Sequence, residues 1–177
     1  MNVLMHPVNV FTDDQRCQLG QEVTLGDGRV FVYTQFKDAL AYISGALCYQ
    51  KDGDGGTVTG DESAGNDRPA GVVCASERTA TQRVPTEGQY GYVQRTGWHP
   101  AVSKMAAVDS IADGTPLTAH ASADHDVTIY TATPTTAEIL RRVGAAAGAS
   151  EDGTSGTYNE DTVPMNLQIP AWTSARS

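Results

Sequence analysis

The segment His120-Ala-Ser-Ala-Asp124-His125-Asp126 gathers two imidazoles and two carboxylates, a donor set that suits a transition metal. The histidines stand five positions apart, which puts them on no common helix face. A solvated turn is therefore the plainer expectation. Asp52, Asp54, Asp61 and Glu62 offer hard oxygen ligands of the kind calcium prefers. An EF-hand loop opening at Asp52 needs glutamate at its twelfth place, which is Ser63 here, and no second acidic repeat follows. Nucleophile chemistry finds no G-x-S-x-G elbow and no cysteine paired with a nearby histidine at a helix start. The glycines at 53, 55, 56 and 60 lack the Lys-Ser/Thr of a phosphate loop. Carboxylate pairs for glycoside hydrolysis depend on opposed strands, a placement that sequence does not reveal. The expectation is a non-enzymatic protein with no cofactor and no metal. His99, between Trp98 and Pro100, reads as a packing residue, and Trp98 itself as core. Trp172, close to Pro170, suits either a core plug or an interface anchor.

The elements that must hold these residues are β-strands. The 177 residues suffice for one β domain, or for a domain with an appended arm. Apolar residues are 40%, with 18 glycines and 8 prolines, which predicts many turns around a thin core that partner contacts complete. Net charge is −9, and the twelve basic residues are scattered, so phosphate backbones and anionic membranes are disfavoured as partners. Cys17, Cys48 and Cys74 are odd in number and lack metal-site spacing, which predicts buried free thiols in a reducing compartment. The first residues lack the basic n-region and continuous apolar run of a signal peptide, and no stretch approaches a membrane span. Cytoplasmic synthesis is expected.

Residues 1 to 18 read as an extended N-terminal arm. Val8, Val10 and Phe11 give a brief strand-like pattern behind Pro7, suited to strand addition on a neighbour or to a frayed terminus. Residues 19 to 177 form a single β-rich domain. Asp27-Gly28 between alternating strands predicts a hairpin over residues 19 to 36. Ala39, Leu40 and Ile43 suit a helical turn before a short strand at 46 to 49. The glycine- and aspartate-rich stretch 51 to 69 and the polar stretch 148 to 161 read as mobile loops. Further strands are predicted at 71 to 76, 89 to 95 and 127 to 133, with Trp98-His99-Pro100 closing a strand pair and another strand or turn at 101 to 108. Asp113 to Leu117 turns into a strand. Thr135-x-x-Glu138 is a capping box opening a short helix before a strand. Pro164 and Pro170 make 163 to 172 an edge strand. The fold class expected is mainly β, a compact antiparallel β-barrel or sandwich with an extended N-terminal arm and little helix.

The succession LGQEVTLGDGRVFVYTQFKDALAYISGALC, AGVVCAS, GQYGYVQRTGWHPAV and SIADGTPLTA resembles a family of small tailed-bacteriophage virion proteins. The resemblance rests on the G-D-G-R hairpin and the alanine-rich segment ending near Leu47-Cys48. It continues through the Gly88 to Gln94 strand, Gly97, the Ala112 to Leu117 turn and Arg141 to Ala146. It covers roughly residues 19 to 148; the insert at 51 to 69 and the tail after 148 match less well. What it implies is a head decoration (cement) protein or related minor capsid protein, on the capsid exterior and assembled in the host bacterial cytoplasm. The implied partners are the major capsid protein and further copies of the chain, as dimer or trimer. Val8, Val10 and Phe11 are then candidate capsid-contact residues, and Trp172 a candidate interface anchor. Another phage component (head fibre base, connector or tail protein) is the first alternative, and a small β-barrel binding module or hydrolase the second.

Overall fold

The computed structural model describes residues 8–38, 44–51, 56–61, 68–74, 85–104, 110–121, 126–130, 132–150 and 161–170. The chain enters its sheet through the predicted hairpin, β1 (Glu22–Thr24) and β2 (Val30–Phe36). The Leu25 N–H donates to Arg29 O at 2.9 Å and the Gly28 N–H to Leu25 O at 3.0 Å, closing the turn. Gly28 has a φ of 86°, a left-handed conformation that side chains disfavour. The Asp27 carboxylate accepts from the Arg29 N–H and Nε, fastening the turn from outside.

The remaining elements are β3 (Leu47–Gln50), β4 (Thr57–Thr59), β5 (Pro69–Val73), β6 (Tyr90–Ser103), β7 (Pro116–Ala119), β8 (Val127–Ile129), α1 (Thr136–Leu140), β9 (Arg142–Ala146) and β10 (Thr162–Gln168). The protein is mainly β and compact, with ten strands in one sheet among the described residues. The strand order is β1-β2-β4-β3-β5-β6-β10-β9-β7-β8. β6 pairs with both β5 and β2, so β2, β4, β3, β5 and β6 close a ring. Only β2–β4 runs parallel among the named strand pairs. β10, β9, β7 and β8 extend from the second half of β6 as a wing, and a bridge between Lys104 and Val127 brings the wing's last strand back to the end of β6. The architecture is thus a closed ring and a curled wing sharing one 14-residue strand, rather than a plain barrel or sandwich.

Alternation along these strands yields three apolar clusters. Val32, Phe36, Cys48, Val58, Ala70, Val73 and Val93 come from all five ring strands. On the other side of β2 and β6, Phe31, Tyr33 and Tyr92 pack with Val23 and Cys17. The wing buries Val102, Leu117, Val127, Val143, Val163, Met165 and Leu167 against Leu47, Tyr49 and Val72.

Several expectations are corrected. β6 does not end before Trp98; it runs through Trp98-His99-Pro100 to Ser103. β10 is not an edge strand but lies between β6 and β9, with Pro164 inside it. Both differences have one cause. The register shifts between Val163 and Met165, whose partners are Val102 and His99, so the prolines sit at a β-bulge where no ladder N–H is needed. β4 lies within the stretch read as loop, and β8 spans only three residues. The helical turn expected near Ala39 and most of the loop at 148 to 161 lie outside the described residues.

The expected arm is also altered from Val8 onward. Phe11 is buried in the ring cluster, edge-on to Phe36 with centroids 5.5 Å apart. Thr12 exchanges backbone hydrogen bonds with Tyr90 at 3.0 and 2.8 Å. Val8 packs against the Tyr33–Tyr92 cluster. These contacts fasten residues 8 to 18 to the chain's own body, so Phe11 fills a core rather than standing free for a partner.

Candidate interaction face

β-strand pairing sets direct cross-strand partners on the same side of a sheet. On the wing, Trp98 of β6 faces Asn166 of β10, Asn166 faces Ala145 of β9, and Ala145 faces Pro116 of β7. Tyr130 continues the row beyond Pro116, to which its N–H donates at 2.9 Å. Trp98, Asn166 and Pro116 are exposed, and Ala145 and Tyr130 half-buried. The neighbouring positions are Pro100 and Pro164 on one side and Thr96 and Gln168 on the other. This side is the reverse of the wing core, since Leu117, Met165 and Leu167, which alternate with these residues, are buried there.

Trp98 is 53% exposed, which corrects its expected place in the core. The bulge that admits Pro100 explains the error: His99 and Val102 both point inward, leaving Trp98 on the outer side. His99 is the packing residue expected, nearly buried, its Nδ1 accepting the Ala101 N–H at 3.2 Å.

α1 stands over the same side. The Thr118 hydroxyl, on the outer side with Pro116, donates to Glu138 O at 3.3 Å. The capping box is present as predicted: the Glu138 N–H donates to Thr135 Oγ1, and the Thr135 N–H to Glu138 Oε2 at 2.7 Å. On this helix Ile139 and Leu140 are 55% and 51% exposed. Trp98, Ile139 and Leu140 are three of the four large exposed apolar side chains among the described residues, and one side of the wing carries all three. In a chain of net charge −9, the rows through Trp98 and Pro100 hold no charged residue. Among the described residues, charge on this side stands at the margins, with Glu138 on α1, exposed Arg142 at the Thr118 end and exposed Asp113 in the turn before β7.

The metal-directed candidates separate differently. His120 and Asp126 join through backbone, the His120 N–H donating to Asp126 O at 3.0 Å, and so close the β7–β8 hairpin. Asp124 and His125 lie outside the described residues, as do Asp52, Asp54, Glu62 and Trp172. The Asp61 N–H donates to Thr59 Oγ1 at 3.0 Å, an ordinary turn contact. Among the described residues, no group of three or more His, Cys, Asp or Glu is placed to hold a metal ion.

Charged groups inside the sheet are structural in setting. The fully buried Lys104 ammonium lies 3.8 Å from Asp161 Oδ1, tying the end of β6 to the start of β10. Arg95, also buried, holds Glu22 of β1 through both terminal guanidinium nitrogens. Cys17 and Cys48 are buried and Cys74 half-buried, all as free thiols. Burial pushes the Cys48 thiol well above its ordinary value and the Cys74 thiol up to about 12, so the thiolate that reactivity requires is disfavoured at both.

No helix of the described residues is long and apolar enough to cross a membrane. Sequence pointed to the arm and to Trp172 as contacts; the feature it missed is the Trp98 face, whose signal was the uncharged alternation Thr96, Trp98, Pro100 read through the proline instead of ending at it. No family model and no curated protein matches the chain.

Proposed function

We propose that the protein is a structural component that binds other proteins, and that its role is that of a decoration protein on the exterior of a tailed-phage head. The observation carrying the binding role is the wing face with its uncharged rows and with Trp98, Ile139 and Leu140 exposed on an acidic chain. Apolar residues scattered over a whole surface need no explanation, whereas several exposed on one side of a sheet suit a contact site. The capsid assignment comes from the sequence resemblance. An acidic body is consistent with the outside of a shell, where no packaged nucleic acid has to be approached. A non-enzymatic role with no cofactor belongs to the same reading.

In this role the rigid ring and wing bridge neighbouring subunits of the major capsid protein, and many weak contacts add up on a repeating lattice. Of the residues expected to touch the shell, the half-buried Val8 and Val10 and the anchor Trp172 stay candidates for direct contact, whereas Phe11 is taken up by the core. The deciding experiment mixes purified protein with expanded and unexpanded shells assembled from a tailed-phage major capsid protein, then sediments the shells. Saturable co-sedimentation with expanded shells alone supports decoration. Absence of binding to either form, with the protein found in the tail or connector of virions, would replace it with another virion role.

A further inference from the structure

We propose that the Trp98 face pairs with the same face of a second copy of this chain about a two-fold axis. The inference rests on the face being a protein contact, and goes further by naming the occupant. Charge selects it. Two chains of net −9 repel on average, and among the described residues the rows through Trp98 and Pro100 let them meet without opposing carboxylates. The margins then become complementary. A two-fold axis lying in the interface along the Trp98–Asn166–Ala145–Pro116 row exchanges the two ends of each strand. It brings the Arg142 margin of one copy over the Asp113 margin of the other, twice per pair.

The overhanging helix fits the same geometry. α1 rises over the Thr118 end, so its exposed Ile139 and Leu140 reach past the partner's opposite margin and enclose the Trp98 rows. Size sets the strength. The row crosses three strand spacings, roughly 14 Å at about 4.8 Å each, so the patch is smaller than the ~800 Å² per partner of a stable interface. Micromolar self-association is expected, rather than a permanent dimer.

The test is analytical ultracentrifugation of the full chain from micromolar to near-millimolar concentration. The expected result is a reversible monomer–dimer equilibrium whose Kd rises at least tenfold in Trp98→Ala. Asn166 lies on the proposed axis and meets its own copy, so Asn166→Asp and Asn166→Lys each weaken pairing alone. An equimolar mixture of the two recovers it as a mixed dimer. Because Asn166 is exposed, both variants should keep the parent melting temperature, which separates lost pairing from lost folding. A chain monomeric throughout, a Trp98→Ala dimer of parent strength, or Asn166 variants that fail to complement each other would each overturn the pairing. Shell co-sedimentation on the same samples keeps the two proposals distinct. Pairing without shell binding sinks decoration alone, and shell binding by a strict monomer sinks pairing alone.

Discussion

Phe11 decides how any truncation of this protein should be interpreted. The ring stands over Gly91, where even a Cβ would come within 2.3 Å of Phe11 Cδ1, and it packs edge-on to Phe36. Phe11→Ala should therefore cost about 3 kcal/mol, the low end for a buried phenylalanine, and lower the urea midpoint without changing the spectrum of the folded state. If the urea curve stays put, the docked position of this segment is wrong. The apolar alternation of Val8, Val10 and Phe11 was legible in the sequence. Which surface those residues cover was not, because a strand-like segment serves its own sheet and a neighbour's equally well. The cysteines permit a pH prediction at the same scale. Cys74 and Cys48 stay protonated in the folded chain to values well above the ordinary 9.0, Cys74 to about 12. The unfolded chain releases those protons first, so it binds fewer of them than the native chain above pH 9. Their stabilisation is complete below pH 9 and is lost as pH rises from 9 towards 12. Urea midpoints measured across that window should fall, and Cys74→Ala should flatten the fall relative to the parent.

Among the elements, β6 does the most to organise the molecule, since it is wall to the ring in its first half and to the wing in its second. The strands with strong alternation and flanking turns, β2 and β3 among them, were visible from residue pattern alone. The bulge joining the halves of β6 was hidden, because its signature is two prolines, and prolines taken one at a time argue for strand ends. Only the partner strand's register shows that both fall within one bulge that spends no N–H. α1 was legible for the opposite reason: a capping box is a local device, and local devices survive without tertiary information. Thr135→Ala removes the cap's hydroxyl and should cost about 1 kcal/mol, most of it confined to the helix. The melting temperature is then expected to move by a few degrees at most. Hydrogen exchange at residues 138 to 140 should accelerate clearly more than in β9 or β7. Equal acceleration throughout would mean that the helix is an integral part of the wing rather than a fixture on it.

At the scale of the whole molecule, charge and shape pull in opposite directions. Twenty-one acidic against twelve basic residues keep copies apart, while the uncharged rows around Trp98 invite contact. Sequence gives the first of these by counting. The second needs the fold, since Trp98, Asn166, Ala145 and Pro116 come from four segments separated by up to 68 positions and share a row only through register. The balance between them has a signature in salt. If association depended chiefly on opposite charges, added salt would weaken it. Here the net interaction between two −9 bodies is repulsive and the contact is apolar, so screening should strengthen association. Between about 0.01 M and 0.15 M salt the screening length drops from roughly 30 Å to about 8 Å, which removes the repulsion between the bodies and leaves the contact at the face. Above that, the Arg142–Asp113 margins are screened as well, so the gain should level off rather than continue. Self-association measured by sedimentation from low to molar salt is therefore expected to rise and then reach a plateau. With Arg142→Glu the plateau should be lower but the initial rise retained, because the bodies still repel. A monotonic fall with salt would mean that the contact is made by charged surfaces and that the Trp98 face is not where the copies meet.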